Sequence, residues 1–403
     1  MTIEYLVPVN KVTPELTLPA DYRSGTFIGR VWRPDVEGPS VVRLEPSGDI
    51  TDITVSFATV SMLLNHSSPL EAARTARGGK IGNIGEILSN TPAQKLDTLH
   101  LIAPIDLQAV KAAGVTFAVS MIERVIEQKA EGDPKKAQKI REGFSEVIGD
   151  DLSKIKPGSD AAEKLKEHLK LMGWWSPYLE VGIGPDAEIF TKAQPMSAIG
   201  HAAKAGLHPL SKWNNPEPEV VLAISAEGRI VGAALGNDVN LRDFEGRSAL
   251  LLGEAKDQNA SCSVGPFIRL FDSNFTLSTV SALNLQLRVE GADGNFLLEG
   301  SSSMSKISRS PEALVGQMFS HHQYPDGAVL FCGTMFAPTK DRGPAGQGFT
   351  HHHGDIVTVS AASSLGSLTN VMTSTDEAPQ WQFGCGALMA NLAKRGMLRA
   401  YTL

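Results

Sequence analysis

Two glutamates that stand two residues apart are the strongest sign of chemistry in this sequence. Glu217 and Glu219 lie in the segment Asn-Asn-Pro-Glu-Pro-Glu at residues 214–219, at the start of an apolar run. On an extended chain, side chains at positions i and i+2 point to one face, so the two carboxylates lie together. Like charges at this distance repel unless a cation lies between them, and the two prolines stiffen the backbone that carries them.

A third carboxylate, Asp238, follows the next predicted strand. The apolar runs Glu219–Ile224 and Arg229–Leu235 flank a turn at Glu227-Gly228 and predict a β-hairpin. Such a hairpin returns Asp238 to the end at which the two glutamates lie. Three hard oxygen ligands with open positions left over are typical of a Mg²⁺ or Mn²⁺ site that a substrate completes. The alternative is an acidic, solvated strand end.

The composition excludes several classes of protein. The chain has 403 residues, of which 42% are hydrophobic and 20% charged, so a sizeable core is expected and global disorder is not. Every apolar run is far shorter than the ~20 residues that a membrane-spanning helix needs. The net charge of −7 argues against non-specific nucleic-acid binding. Three cysteines without CxxC spacing, and an N-terminus without a secretory pattern, indicate a cytoplasmic protein.

The predicted elements divide the chain into two domains. Residues 1–100 are predicted to form a small N-terminal α+β domain, with strands at Gly25–Trp32 and Ser40–Leu44 followed by short helices. Residues 101–403 are predicted to form the main domain, in which strands outnumber helices beyond residue 180. Because strands and helices do not alternate regularly there, we expect an α+β fold with a mixed sheet.

A charged segment at about 123–172 interrupts the main domain. Residues 123–170 contain eleven acidic and eleven basic side chains, so the segment carries no net charge. Helices are predicted at about 118–131, 134–149 and 160–172, with N-cap residues before the second and third. The pattern favours a solvated helical insert. A flap or a subunit contact is the alternative, because the aromatic segment Met172–Tyr178 ends the insert.

The carboxylate motif resembles the metal-binding core of the fumarylacetoacetate hydrolase superfamily. The resemblance implies a mixed β-sandwich roll, a divalent metal held by Glu217, Glu219 and Asp238, and a substrate of the 2-keto acid type. Further segments that resemble this superfamily are Ile189–Lys192, Lys256 upstream of Gly265-Pro266, Cys332–Thr334, Gly354-Asp355 and Leu365–Asn370.

One position departs from the pattern of the hydrolases in this superfamily. Residues 114–123 resemble the segment Gly-x-Asn-Tyr-x-x-His-x-x-Glu, but Ser120 stands where the hydrolases have the histidine that activates water. A serine has no basic nitrogen near pH 7, so it cannot replace that histidine as a general base. Glu123 is present at the second position. The departure argues against hydrolysis of a carbon–carbon bond.

Residues 101–403 resemble a branch of the superfamily with a different activity, the bacterial 2-keto-3-deoxy-D-xylonate and D-arabinonate dehydratases. The segments 107–117, 213–219 and 237–247 carry this resemblance. It implies a Mg²⁺-dependent lyase that converts a 2-keto-3-deoxy-D-pentonate to 2,5-dioxopentanoate in non-phosphorylated pentose catabolism. A small sugar acid is then the expected ligand, a homodimer or homotetramer the expected assembly, and neither nucleic acid nor membrane an expected partner.

The resemblance also suggests roles for individual residues. Lys256 is the first candidate for the base that removes a C3 proton, and Glu123 is the second, either as base or as acid. The substrate-binding candidates are Thr334, Lys192, Ser120 and Asn237. Two other functions stay open: an acylpyruvate-type C–C hydrolase or keto-acid decarboxylase of the same superfamily, and a non-catalytic sugar-acid binding protein.

Overall fold

The computed structural model describes residues 4–148, 155–336, 338–343 and 346–398. The strands in these ranges are β1 Phe27–Arg33, β2 Gly38–Leu44, β3 Asp49–Asp52, β4 Gly79–Asn83, β5 His100–Ile102, β6 Ala109–Gly114, β7 Glu188–Ala193, β8 Lys204–Leu207, β9 Asn214–Asn215, β10 Pro218–Ile224, β11 Ile230–Asp238, β12 Asn240–Leu241, β13 Cys262–Leu270, β14 Asn284–Glu290, β15 Leu297–Ser303, β16 Ala328–Phe331, β17 Ile356–Ala361 and β18 Gly366–Ser374. The α-helices are α1 Pro14–Thr17, α2 Val60–Leu64, α3 Pro69–Thr75, α4 Ile84–Asn90, α5 Ala118–Lys129, α6 Pro134–Ile148, α7 Asp160–Leu171, α8 Pro177–Ile183, α9 Arg242–Glu245, α10 Leu252–Lys256, α11 Leu277–Ser281, α12 Pro311–Phe319 and α13 Cys385–Lys394. Among these described helices, none has the length and apolarity needed for a membrane crossing.

Two large mixed sheets form the body of the molecule, as the sequence predicts. The first has the strand order β4-β3-β2-β1-β13-β11-β10-β16-β6-β7, with β5 paired to β1. The second has the order β15-β14-β17-β18-β8, and β9 and β12 form a separate short pair. Most neighbours are antiparallel, but β16 pairs with β6, and β18 with β8, in parallel. The fold is therefore α+β with mixed sheets.

Strand β10, which carries one of the glutamates, is buried on both faces. Val220 and Leu222 belong to the core that the first sheet shares with the second, where they join Leu287 of β14. Val221 belongs to the core on the opposite face, together with Leu63 of helix α2. A strand covered on both faces reads as a continuous apolar run, which is how the sequence reads here. This packing gives the carboxylates at its end a rigid support.

The strands of residues 1–100 extend the first sheet instead of forming a sheet of their own. Phe27 of β1 pairs with Arg269 of β13, and β1 also pairs with β2. The short helices expected after these strands occur as α2 and α3. The division of the chain at residue 100 stays a prediction, while the sheet itself is continuous across it.

The charged insert contains the three helices α5, α6 and α7. Ser159 caps α7, because its hydroxyl accepts a hydrogen bond from the N–H of Ala162 at 3.3 Å. The predicted end of the second helix, at residue 149, lies outside the described residues. The expectation of a solvated insert holds for much of α7, where Glu163 and Glu167 are exposed. It does not hold for α5, which buries charged side chains because they find partners of opposite charge inside the protein.

Candidate metal centre

The hairpin predicted from the sequence is confirmed, and it brings three carboxylates together. Glu219 at the start of β10 pairs with Gly236 of β11, and the N–H of Asp238 donates to the carbonyl of Glu217 at 3.0 Å. One carboxylate oxygen from each of the three acidic residues lies within 4.8 Å of the other two. A side chain at position 236 would clash, because a Cβ atom there would lie 2.3 Å from the ring of Phe331.

The three carboxylates form a donor set that suits a hard divalent cation. All three residues are 1% exposed, and they offer only oxygen ligands. Burial and the carboxylates of Asp238 and Glu217 raise the pKa of Glu219 well above its ordinary value. A cation between them would relieve this repulsion. The residues present therefore fit Mg²⁺ or Mn²⁺.

Two of the predicted substrate-side residues contact this centre directly. The N–H of Gly333 donates to Glu219 Oε2 at 2.6 Å, and the hydroxyl of Thr334 donates to Glu219 Oε1 at 3.4 Å. Lys192, which is fully buried, has its Nζ 2.9 Å from Asp238 Oδ1, although the two atoms are not aligned for a hydrogen bond. Its Nζ also donates to the hydroxyl of Ser261 at 3.1 Å. These contacts fix the orientation of two of the three carboxylates.

Lys256 supplies positive charge to the same cluster. Its Nζ donates to Glu217 Oε2, and it lies 3.2 Å from Asp238 Oδ2. Burial lowers the pKa of Lys256, but the carboxylates of Asp238 and Glu217 outweigh burial and raise this pKa above its ordinary value. The side chain is therefore an ammonium group in this environment.

The other predicted residues lie at the edge of the cluster. Asn237 accepts a hydrogen bond from the N–H of Glu217 at 3.0 Å, so it fixes the backbone of that residue. Ser120 donates its hydroxyl to the carbonyl of Phe117 at 2.9 Å, within its own helix. Glu123 pairs with Arg141 at 2.8 Å.

A buried network of charges, which the sequence did not reveal, connects helix α5 to the carboxylates. Arg124 donates to Glu217, donates to Glu127 Oε2 at 2.6 Å, and has its Nε 3.3 Å from Glu245 Oε1. Arg242 then donates to Glu127 Oε1 at 2.6 Å. The only signal in the sequence was the helical spacing of charged residues within an otherwise apolar helix.

Two arginines hold Glu123 at the far end of this network. Arg141 Nε donates to Glu123 Oε1 at 2.9 Å, and one amino group of Arg242 donates to Glu123 Oε2 at 3.0 Å. Burial raises the pKa of Glu123, but the two guanidinium groups outweigh burial and lower this pKa below its ordinary value. Glu123 is consequently an ionised carboxylate that positions Arg242.

The sequence also did not predict a role in the site for a further carboxyl group, that of Glu188. Glu188 begins β7 opposite Gly114 of β6, and a Cβ atom at position 114 would lie 2.0 Å from Glu188 Oε2. The glycine therefore leaves the space that the carboxyl group occupies. Burial and the carboxylate of Glu245 raise the pKa of Glu188 to about 7. No pattern around residue 188 marks this property, because it depends on distant residues.

The network makes a testable contribution to stability. We expect Arg124→Met to lower the free energy of unfolding by about 3–5 kcal/mol, because it leaves three buried carboxylates without their shared cation. Urea unfolding at pH 7 measures this change. Arg288→Met is the matched control. The side chain of Arg288 also forms ion pairs but is 45% exposed, so its removal should lower the free energy of unfolding by only about 0–1 kcal/mol. Equal losses for the two variants would contradict the assigned role of Arg124.

Comparisons with known proteins agree with this geometry. Residues 185–373 match the family model for the C-terminal domain of fumarylacetoacetate (FAA) hydrolase. The chain is 31% identical over 156 residues to a 2-dehydro-3-deoxy-D-arabinonate dehydratase of Saccharolobus solfataricus, a match that covers 39% of this chain and 51% of that protein. It is 30% identical over 196 residues to a probable 2-keto-3-deoxyxylonate dehydratase of Haloferax volcanii, with 49% and 63% covered. The matches thus span only about half to two thirds of the length of these curated relatives.

Solved structures show the same fold. The apo form of a 2-keto-3-deoxy-D-arabinonate dehydratase superposes with a TM-score of 0.61 at 20% identity, over 86% of this chain and 99% of that one. A 2-keto-3-deoxy-D-arabinonate dehydratase in complex with magnesium and 2,5-dioxopentanoate gives a TM-score of 0.60 at 19% identity, with the same shares covered. At this level of identity the likeness establishes the architecture.

Proposed function

We propose that the protein is a Mg²⁺-dependent dehydratase of 2-keto-3-deoxy-D-pentonates, on the premise that residues 185–373, which match the family model, form a fumarylacetoacetate hydrolase C-terminal domain. The observation that carries the proposal is the buried trio of Glu217, Glu219 and Asp238. The dehydratase names of the two curated relatives support the reaction, and the magnesium in a structural neighbour supports the metal. A cytoplasmic location and a homodimer or homotetramer remain predictions from the sequence.

The proposed reaction removes one water molecule from the substrate. A proton leaves C3 and the hydroxyl group leaves C4, so that a double bond forms between these carbons. A proton is then lost from C5 and one is gained at C3, which moves the double bond to C4 and C5 and gives an enol. Loss of the proton on the C5 hydroxyl and gain of a proton at C4 convert this enol to the aldehyde. The product is 2,5-dioxopentanoate, and no oxidant or reductant is needed.

The trio would hold the metal ion, and neighbouring residues would keep the trio in place. When bound, Mg²⁺ supplies Lewis acidity toward the oxygens of a 2-keto acid, which makes the C3 proton easier to remove. Gly333 and Thr334 orient Glu219 through their hydrogen bonds. Arg124 orients Glu217 and offsets its charge. The substrate carboxylate would meet a centre that also contains the ammonium group of Lys256.

Proton transfer at C3 is assigned to Glu188 in this proposal, because its carboxyl group lies close enough to Lys256, Arg124 and Glu217 for their charges to act on its pKa. A base works best when its pKa lies near the operating pH, and the pKa of Glu188 is about 7. Lys256, the first candidate from the sequence, is given a different role because its Nζ pairs with Glu217 and Asp238: its positive charge stabilises the negative charge that develops on the substrate. Glu123 acts as a positioning residue for Arg242.

The environment of Ser120 supports dehydration over hydrolysis. Its hydroxyl donates to the carbonyl of Phe117, so the position offers neither a basic nitrogen nor a free hydroxyl toward the carboxylates. A C–C hydrolase needs a base there to activate water.

Turnover of 2-keto-3-deoxy-D-xylonate by the purified protein tests the proposal. We expect aldehyde formation in the presence of Mg²⁺, read through a coupled semialdehyde dehydrogenase, and its loss on addition of EDTA. Restoration by excess Mg²⁺ is the control for an effect of EDTA on the coupling enzyme. Metal binding without any aldehyde would contradict the proposed substrate and reaction.

A further inference from the structure

The strand pair that carries the metal-binding trio continues in one register beyond it. Asp238 lies opposite Glu217, since its N–H donates to the carbonyl of that residue at 3.0 Å. Two residues further from the hairpin turn, Asn215 of β9 lies opposite Asn240 of β12. Directly opposite residues of an antiparallel pair share a face, and so do residues two apart along a strand. The two asparagines therefore form the next pair of side chains on the face that carries the carboxylates.

Three of the four polar side-chain atoms of this pair lack a hydrogen-bond partner among the described residues. Asn240 is fully buried, and neither its Oδ1 nor its Nδ2 has a partner. Asn215 is 1% exposed; its Nδ2 donates to the carbonyl of Pro216 at 3.0 Å, but its Oδ1 has no partner. An unmade hydrogen bond in a protein interior is costly, so such groups are normally satisfied by a ligand or by water.

Asn214, which directly precedes Asn215 in the sequence, has hydrogen-bond partners for its side chain. Asn214 Nδ2 donates to the hydroxyl of Ser211 at 3.2 Å, and its Oδ1 accepts from the N–H of His351 at 3.1 Å. Alternation along the strand directs this side chain to the opposite face. The amide of Asn214 is therefore hydrogen-bonded within the protein, whereas three polar atoms of the asparagine pair on the carboxylate face have no partner among the described residues.

We propose that Asn215 and Asn240 form the subsite that binds the oxygen on C5 of the substrate. The inference rests on the proposed function and adds the residues that select a hydroxylated chain. Two residues of extended strand separate this pair from Glu217 and Asp238, a distance of about 7 Å. An extended five-carbon sugar acid has about this length between its carboxylate oxygens and its C5 oxygen. An amide offers both a donor and an acceptor, which is what a hydroxyl group requires.

Such a subsite would set the substrate preference of the enzyme. A buried site that hydrogen-bonds a substrate hydroxyl rejects the analogue that lacks it, because the protein groups then remain unpaired. The relevant analogue is 4-hydroxy-2-oxopentanoate, which keeps the leaving hydroxyl on C4 but has a methyl group at C5. Wild-type protein should prefer 2-keto-3-deoxy-D-xylonate over this analogue by about 100-fold or more in kcat/KM.

Asn240→Leu, which keeps the size of the side chain and removes its polar atoms, tests the subsite. It should lower kcat/KM for the hydroxylated substrate by at least about 10-fold, and should leave kcat/KM for the 5-deoxy analogue nearly unchanged. Asn240→Ser is the second variant in case the leucine variant fails to fold. Asn214→Ala is the matched control and should keep the wild-type preference. Equal losses on both substrates, or no loss on either, would overturn the proposal.

A binding measurement separates this inference from the proposed function. Calorimetric titration in Mg²⁺ compares 2,5-dioxopentanoate with 2-oxopentanoate, which lacks the C5 oxygen. Tighter binding of the first compound by wild type, lost in Asn240→Leu, would support the subsite even if no turnover occurs, and the proposed function alone would then fail. Turnover without any binding preference would overturn the subsite and leave the function standing. Binding of neither compound would overturn both.

Discussion

Glu219→Gln is expected to remove Mg²⁺ binding and turnover together. An amide carries no charge and binds Mg²⁺ more weakly than a carboxylate does. Loss of a residue that only orients a metal ligand costs about 10- to 100-fold in affinity, so loss of a direct ligand should lower Mg²⁺ affinity by at least about 100-fold. Turnover should fall by about 1,000-fold or more, because the Lewis acid contributes several kcal/mol to the barrier. Calorimetric Mg²⁺ titration and the coupled assay measure the two effects.

The metal-free protein provides an internal control for this variant. Burial and two neighbouring carboxylates raise the pKa of Glu219, so a neutral amide removes a repulsion instead of creating one. The free energy of unfolding without metal should therefore stay equal or rise, which excludes misfolding as the cause of lost activity. Glu299→Gln, at a side chain that is 62% exposed, should change neither affinity nor turnover. Unchanged Mg²⁺ affinity in Glu219→Gln would place the metal elsewhere.

Glu188→Gln is expected to lower kcat by about 100- to 10,000-fold, the usual contribution of a general base. The base must be ionised to accept a proton, and burial with the carboxylate of Glu245 raises the pKa of Glu188 from 4.5 to about 7. Wild-type kcat/KM should therefore rise with pH up to about 7 and level off above it. Glu188→Asp should keep this acidic limb at a lower rate, and Glu188→Gln should lose it.

Stability should depend on pH in the opposite direction at the same residue. The folded protein holds the proton on Glu188 more tightly than the unfolded chain does, so between about 4.5 and 7 the native state binds more protons. The contribution of Glu188 to stability is therefore present at low pH and is lost as the pH rises through about 7.

A pH–rate profile that is flat between pH 5 and 8, or wild-type rates in Glu188→Gln, would contradict the assignment of the base.

The parts of the site that could be predicted from the sequence are those set by local chain geometry. The carboxylates Glu217 and Glu219 are two residues apart on a strand, and a tight hairpin returns Asp238 beside them. Alternation of side chains and the shortness of the turn leave little freedom. The apolar run of β10 likewise follows directly from burial on both faces.

The parts that could not be predicted depend on contacts between distant segments. Arg124 reaches Glu217 across 93 residues of sequence, and neither residue carries a local mark of the other. Glu188 acquires its raised pKa from burial beside Gly114 and from Glu245, which belong to other elements. The prediction that the charged insert is solvated was wrong for α5, because its charged residues pair with residues from distant segments. Paired charges are buried at lower cost than single ones.

The central claim, that this protein removes water from a 2-keto-3-deoxypentonate, is tested most directly by the identity of the product. The measurement is ¹³C NMR of uniformly labelled 2-keto-3-deoxy-D-xylonate incubated with wild-type protein and Mg²⁺. The account predicts the five carbons of 2,5-dioxopentanoate and its hydrate, with the chain intact. Pyruvate with glycolaldehyde, which would report cleavage between C3 and C4, or unchanged substrate in the presence of bound metal, would contradict it.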